Sequence, residues 1–371
     1  MWNRGVLLLT VALAASPLTC NADPLGVASG YNLVALGTVN ASGQTLIAGT
    51  INDGSEAQGR VAAAGEILNI GTIGSSLNGS PGSDPFMSAA TFNINTGPNT
   101  NSTFTFDVVA EGGIKSGLNI TLNSQGSVFA DSPTKGVNFN FNGNNNMRGT
   151  LVTGNGSNDP INFNALRSSL EAQSVLLGGL ATTGTIIGSG QNGFGDPSFF
   201  VLSGTSATLN VFNITADELA DANHPIDIVA PVGSTIIVNV SGTDVSLGTT
   251  IFYNGQEHTD SETTSDILFN FPDATSVNLN GELTASLLAP FAVLGGNGDI
   301  DGTAIAAAIG DIGEAHNIEF DGTFPPTTPP STSQPPPANQ GVPPVPEPGT
   351  LALVGTGIFS VAGALRRKKN A

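Results

Sequence analysis

Apolar and polar positions alternate through much of this chain with a period of two, the spacing that turns one side of a strand toward a core. Val137-Asn138-Phe139-Asn140-Phe141 and Val277-Asn278-Leu279-Asn280 show it best, each joining an apolar ladder to an asparagine ladder. The pattern predicts strands over 35–39, 103–109, 118–122, 137–141, 209–214, 235–240, 266–271 and 274–279. Helical spacing is rare. Phe163, Leu166, Leu170 and Leu177 form an apolar stripe over 164–177, with Ser168, Glu171 and Gln173 off it and Gly178-Gly179 as the stop. A shorter helical turn is predicted over 215–220.

Short strands with a turn signal every few residues point to a mainly β fold, either a β-helix or solenoid or a β-sandwich. The segments 65–74 and 295–309 place β-branched and small residues between glycines at short intervals, which suits stacked rungs with tight corners and favours the solenoid. The single amphipathic helix would then lie on the solenoid's flank. No strict repeat is found. The nearest internal echo sets 137–140 with 149–152 against 277–280 with 302–305.

The two ends read differently from the middle. Arg4, the apolar run 6–15, the helix-breaking Pro17 and small residues up to Ala22 form a signal peptide over 1–22, with signal peptidase cutting after Ala22. Cys20 is the only cysteine and is lost with that peptide, so no disulfide and no cysteine-based site is expected. The domain is expected over 23–322. From 323 to 344 the chain is Pro-rich, a polyproline-type spacer. Then come Val345-Pro346-Glu347-Pro348, an apolar stretch over 349–365 just long enough to span a bilayer, and a basic stop, Arg366-Arg367-Lys368-Lys369. This final segment, 345–371, resembles the PEP-CTERM sorting signal. The resemblance implies that an exosortase recognises Val345 to Pro348 and removes the tail, so that insertion in the inner membrane is transient. The protein then ends at the cell envelope, the outer surface or outside the cell.

Charge narrows the partners of the middle. Between residues 23 and 365 five basic residues stand against 29 acidic ones, a net charge of −24, and 168–365 holds no Lys or Arg. Nucleic acid is excluded, because phosphate binding needs a basic patch that releases counterions.

Candidate chemistry is sparse. Gly188-Ser189-Gly190-Gln191-Asn192-Gly193 fits G-x-G-x-x-G, but Phe194-Gly195-Asp196-Pro197 cannot open a phosphate-binding helix, so it reads as a turn. Asn297, Asp299 and Asp301 place oxygen ligands at alternate positions before Gly302, a weak calcium candidate. Ala308 stands where an EF-hand needs its bidentate Glu. His224, His258 and His316 show no zinc spacing, and His316, between Glu314 and Glu319, reads as a structural hydrogen-bonding residue. No nucleophile elbow occurs. A polysaccharide-acting enzyme on a β-helix would need a base with cationic help and aromatic platforms, and the mature chain has no Trp and only Tyr31 and Tyr253. No catalytic residue and no cofactor is expected. A flat threonine face for ice or surface binding is not expected either, since the alternation Thr103-Phe104-Thr105 does not recur at a rung period.

The body has a family likeness of its own. Tyr31-Asn32-Leu33-Val34, Glu56 with 59–65, Val238-Asn239-Val240, Phe269-Asn270-Phe271-Pro272, Leu288-Ala289-Pro290 and Gly313-Glu314-Ala315-His316-Asn317 resemble the choice-of-anchor A domain over about 25–322. The resemblance implies an exported protein acting as an adhesin, with a β-helical fold, no catalytic motif, and extracellular matrix or polysaccharide as partner. A passive structural role in the envelope or biofilm is the alternative.

Overall fold

The computed structural model describes residues 24–67, 76, 161–188, 199–221, 225–248, 250–257 and 264–324. It also gives the backbone of strands Thr72–Ile73, Met87–Phe92, Asn101–Phe104, Val108–Ala110, Asn119–Leu122, Val128–Ala130, Asn138–Phe141 and Leu151–Thr153. The chain divides into two units, Met1–Pro325 and Pro326–Ala371, and all described residues belong to the first.

The described residues are mainly β, with few helices and largely parallel sheets. In the first sheet an unbroken parallel path runs Leu151–Thr153, Val128–Ala130, Val108–Ala110, Met87–Phe92, Val61–Ile67, Leu33–Ala35, Ala304–Ile309, Ser286–Gly296, Ile267–Asn270, Thr235–Ser241, Leu209–Thr215. The second sheet is parallel throughout, in the order Asn138–Phe141, Asn119–Leu122, Asn101–Phe104, Thr72–Ile73, Glu56–Ala57, Ala315–His316, Ile300–Asp301. From Val61 to Thr153 successive strands alternate between these two sheets. A third sheet, Thr185–Ile187, Phe200–Ser203, Ile226–Val229, Ile251–Tyr253 and Gln256–Glu257, is parallel inside and antiparallel at its edges.

Period-two patterning accounts for the core. Leu33 and Ala35 face one buried cluster together with Val61, Ala304, Leu287, Phe269 and Val238, while Val34 turns the other way. On that other side Val34, Ala62, Ile305, Leu288, Leu268 and Ile237 pack against Leu166, Leu170 and Leu177 of the long helix, Phe163–Gly178. The first sheet is thus covered on both faces where these strands pair, which is why they read as nearly continuous apolar runs. The helix begins as its sequence requires, with the Asn162 side chain accepting from the Ala165 amide at 3.1 Å.

Polar groups dock the helix. Asn213, Asn239 and Asn270 are in register on three adjacent strands. Asn270 donates to Asn239 and to the Ser174 carbonyl, Asn239 donates to Asn213 and to the Leu177 carbonyl, and Asn213 donates to the Leu180 carbonyl, all within 2.9 Å. The buried Arg167 guanidinium donates to the carbonyls of Leu36 and Gly37 and to Asn164 Oδ1. The short helix Ala216–Asp221 opens on a capping box, Thr215 and Glu218 bonding each other's backbone amides.

Two expected strands divide. The stretch 35–39 breaks at Gly37, whose φ of +66° ends Leu33–Ala35 and starts the antiparallel pair Thr38–Val39 with Thr45–Ile47. The stretch 103–109 spans Asn101–Phe104 in the second sheet and Val108–Ala110 in the first, which bond to different neighbours. Among the described residues no helix is long and apolar enough to cross a membrane, and the expected span 349–365 lies outside them.

Candidate functional face on the second sheet

The register of the second sheet sorts its residues into rows. Ile300, Ala315 and Ala57 occupy one row and are wholly buried in the main core. The next row back begins with Asp299, Glu314 and Glu56, none of them buried. It continues from Glu56 through the register partners Thr72, Thr103, Thr121 and Asn140. Two residues earlier on the last three strands, Asn101, Asn119 and Asn138 form a second row. Adjacent strands lie about 4.8 Å apart and alternate residues about 6.7 Å apart, so the two rows set these Thr and Asn residues on a regular lattice of backbone positions.

The threonine alternation does not recur at a fixed period, yet register still aligns threonines from strand to strand. Thr72, Thr103 and Thr121 are in register on neighbouring strands. The signal was present as Asn-x-Thr/Asn followed by Phe or Leu, beginning at Asn101, Asn119 and Asn138.

At the other end of the sheet the face is acidic and carries a histidine. His316 pairs in register with Asp301, and its Nδ1 meets Asp301 Oδ1 while its Nε2 lies 3.4 Å from Glu314 Oε2. Burial disfavours the imidazolium, but the hydrogen bond and charge of Asp301, followed by Glu314 and Asp299, outweigh it and raise the His316 pKa. Burial, then Asp301, raises that of Glu282 alongside. Glu319, the other acid flanking His316 in sequence, instead lies 3.7 Å from Arg60.

Asn297, Asp299 and Asp301 come out in different settings. Asn297 is exposed, Asp299 accepts from the Glu314 amide at 2.7 Å, and Asp301 is buried against His316. Among the described residues no group of three His, Cys, Asp or Glu residues stands ready to hold a metal ion. His224, His258, the 189–193 part of the glycine-rich turn, Ala22, Val345 to Pro348 and Arg366 to Lys369 lie outside the described residues.

Sequence reasoning passed over Asp53. It is fully buried between the segments 51–55 and 309–312, with Oδ1 accepting from the amides of Ser55 and Ile312 and Oδ2 unpartnered among the described residues. Burial, opposed by those two hydrogen bonds and reinforced by Asp311, lifts its pKa to about 7.

Two known families match the chain. The family described as "Putative Ice-binding-like adhesive domain" matches residues 24–317, and the PEP-CTERM protein-sorting motif matches residues 344–369. No curated protein and no solved structure matches the chain.

Proposed function

This chain belongs to the ice-binding-like adhesive domain family and ends in a PEP-CTERM sorting motif, and from that premise we propose that it is an adhesin working through its second sheet. It is an exported cell-surface protein processed by exosortase-type machinery. The single observation that carries the adhesive reading is the lattice of Thr72, Thr103, Thr121 and Asn140 beside Asn101, Asn119 and Asn138. Such a lattice suits a neutral, repeating, hydroxyl-rich surface such as a polysaccharide. An anionic polymer would meet the chain's strong negative charge and be repelled.

Three finer readings go with it. Alternation of strands between two parallel sheets supports a β-solenoid, since each pass then adds one strand to each ladder. The apolar stretch 349–365 supports transient insertion in the inner membrane, with cleavage near Pro346-Glu347-Pro348. The lack of a sequence motif for catalysis supports a binding role and not an enzyme.

The test is saturable binding to an insoluble neutral polysaccharide. Thr103→Lys with Thr121→Lys should abolish it at an unchanged melting temperature. Binding that survives in the folded double variant, or never saturates in the wild type, removes the lattice as the adhesive face. The same rows favour a second reading, binding of ordered water at an ice surface. Ice-recrystallisation inhibition lost in the same variant would select it.

A further inference from the structure

The first sheet ends on strand Leu209–Thr215, which bonds Thr235–Ser241 on one side. The Thr235 amide donates to the Thr208 carbonyl, so residues 208, 210, 212 and 214 face that neighbour and the amides of 209, 211, 213 and 215 point away from it. A row of free outward amides is a template for another strand. Here all four are occupied by side-chain oxygens. The Leu209 amide donates to Ser206 Oγ at 3.2 Å, Val211 to Thr183 Oγ1 at 2.9 Å, Asn213 to Thr182 Oγ1 at 3.1 Å and Thr215 to Glu218 Oε2 at 2.8 Å. The segment 180–183 is fastened in return, because the Thr183 amide donates to the Val211 carbonyl and Asn213 Nδ2 to the Leu180 carbonyl.

Direction gives this edge a partner it must refuse. Every pairing along the path is parallel, and its far end among the described residues is Leu151–Thr153. A second copy shifted along the sheet would offer Leu151–Thr153 to Leu209–Thr215 in the same parallel sense. Such a contact is head to tail and does not close, so it would propagate as a filament. Asn213, Thr215, Thr182 and Thr183 are all solvent-exposed, so hydrophobic burial does not close this edge. We infer that Thr182, Thr183, Ser206 and Glu218 form a polar strap that blocks head-to-tail assembly of this chain through its first sheet.

Sedimentation velocity on the purified protein over a range of concentrations tests the strap. Thr182→Val with Thr183→Val keeps the branched shape and removes both acceptors. This variant should show a sedimentation coefficient that climbs with concentration, while wild type and Thr182→Ser with Thr183→Ser stay constant. A valine variant that is folded by circular dichroism yet sediments like wild type overturns the inference. Hydrogen exchange on the wild type gives an answer that needs no variant. Slow exchange of the Val211 and Asn213 amides supports the strap, and exchange at the rate of an unstructured chain overturns it.

Discussion

Asn32 and His316 are 284 residues apart in sequence and joined by one hydrogen bond, the Asn32 side-chain amide donating to the His316 carbonyl at 2.9 Å. The same nitrogen donates to the Gly302 carbonyl at 2.8 Å, and Asn32 Oδ1 accepts from the Gly59 amide. One buried side chain therefore ties the start of the domain to the bend at Gly302 and the strand Ala315–His316 near its end. There is no room for a larger neighbour, since a Cβ on Gly59 would strike Asn32 and Asn317.

Replacing Asn32 by Ala takes the side-chain partner from the Gly302 carbonyl and the Gly59 amide, while the His316 carbonyl keeps the Ile318 amide. The change should cost about 2 kcal/mol or more. Chemical denaturation should show a lower midpoint at an unchanged slope. Asn32→Asp, which accepts but cannot donate, should be at least as harmful.

Asp53 should make stability fall as pH rises. Its folded pKa, about 7, lies above its ordinary value of 3.8, so between these pH values the folded state binds more proton than the unfolded one. The loss is at most about 1.4 kcal/mol per pH unit across that window. Asp53→Asn keeps an acceptor for Ser55 and Ile312 and removes the charge. Its melting temperature should change less between pH 4 and pH 7 than that of wild type.

His316 should act in a later window. With its pKa raised by Asp301, Glu314 and Asp299 against the opposing effect of burial, its contribution is complete below its ordinary value of 6.5 and is lost as pH climbs through the raised one. Asp301→Asn should remove most of the melting-temperature decline above pH 6.5 and leave most of the decline below that, to which Asp53 and other raised carboxyls, Glu171 and Asp266 among them, contribute.

Calcium should have little effect. Asp301 is already engaged by His316, and Asp299 by the Glu314 amide. Millimolar calcium followed by chelator should leave the melting temperature where it was. A rise that Asp299→Ala with Asp301→Ala abolishes would restore the loop as a site.

Much of this architecture is legible because period-two alternation and helical periodicity are local properties. The helix differs from its expected range by one residue at each end. The threonine row was harder to read, because the strands that carry it are separated by unequal lengths of chain: Thr72 and Thr103 are 31 residues apart, Thr103 and Thr121 only 18. A search for one fixed period cannot align them. Asp53 was illegible for another reason. Asn52-Asp53-Gly54 reads as an ordinary polar turn, and what buries it arrives from residues 309–312, more than 250 positions later. His316 was singled out between Glu314 and Glu319; it lies beside Glu314, while its register partner Asp301, fifteen positions earlier, was not read with it.

The strand Ala304–Ile309 lies between Leu33–Ala35 and Ser286–Gly296 and bonds both. Its place in the sheet is held open until nearly the whole domain has been made. A chain delivered N-terminus first, whether from a ribosome or through a membrane pore, must keep its earliest strand waiting for a neighbour some 270 residues behind it. Completion of the sheet is thereby timed to the end of delivery, and a passage that admits only extended chain meets a substrate that cannot yet have closed.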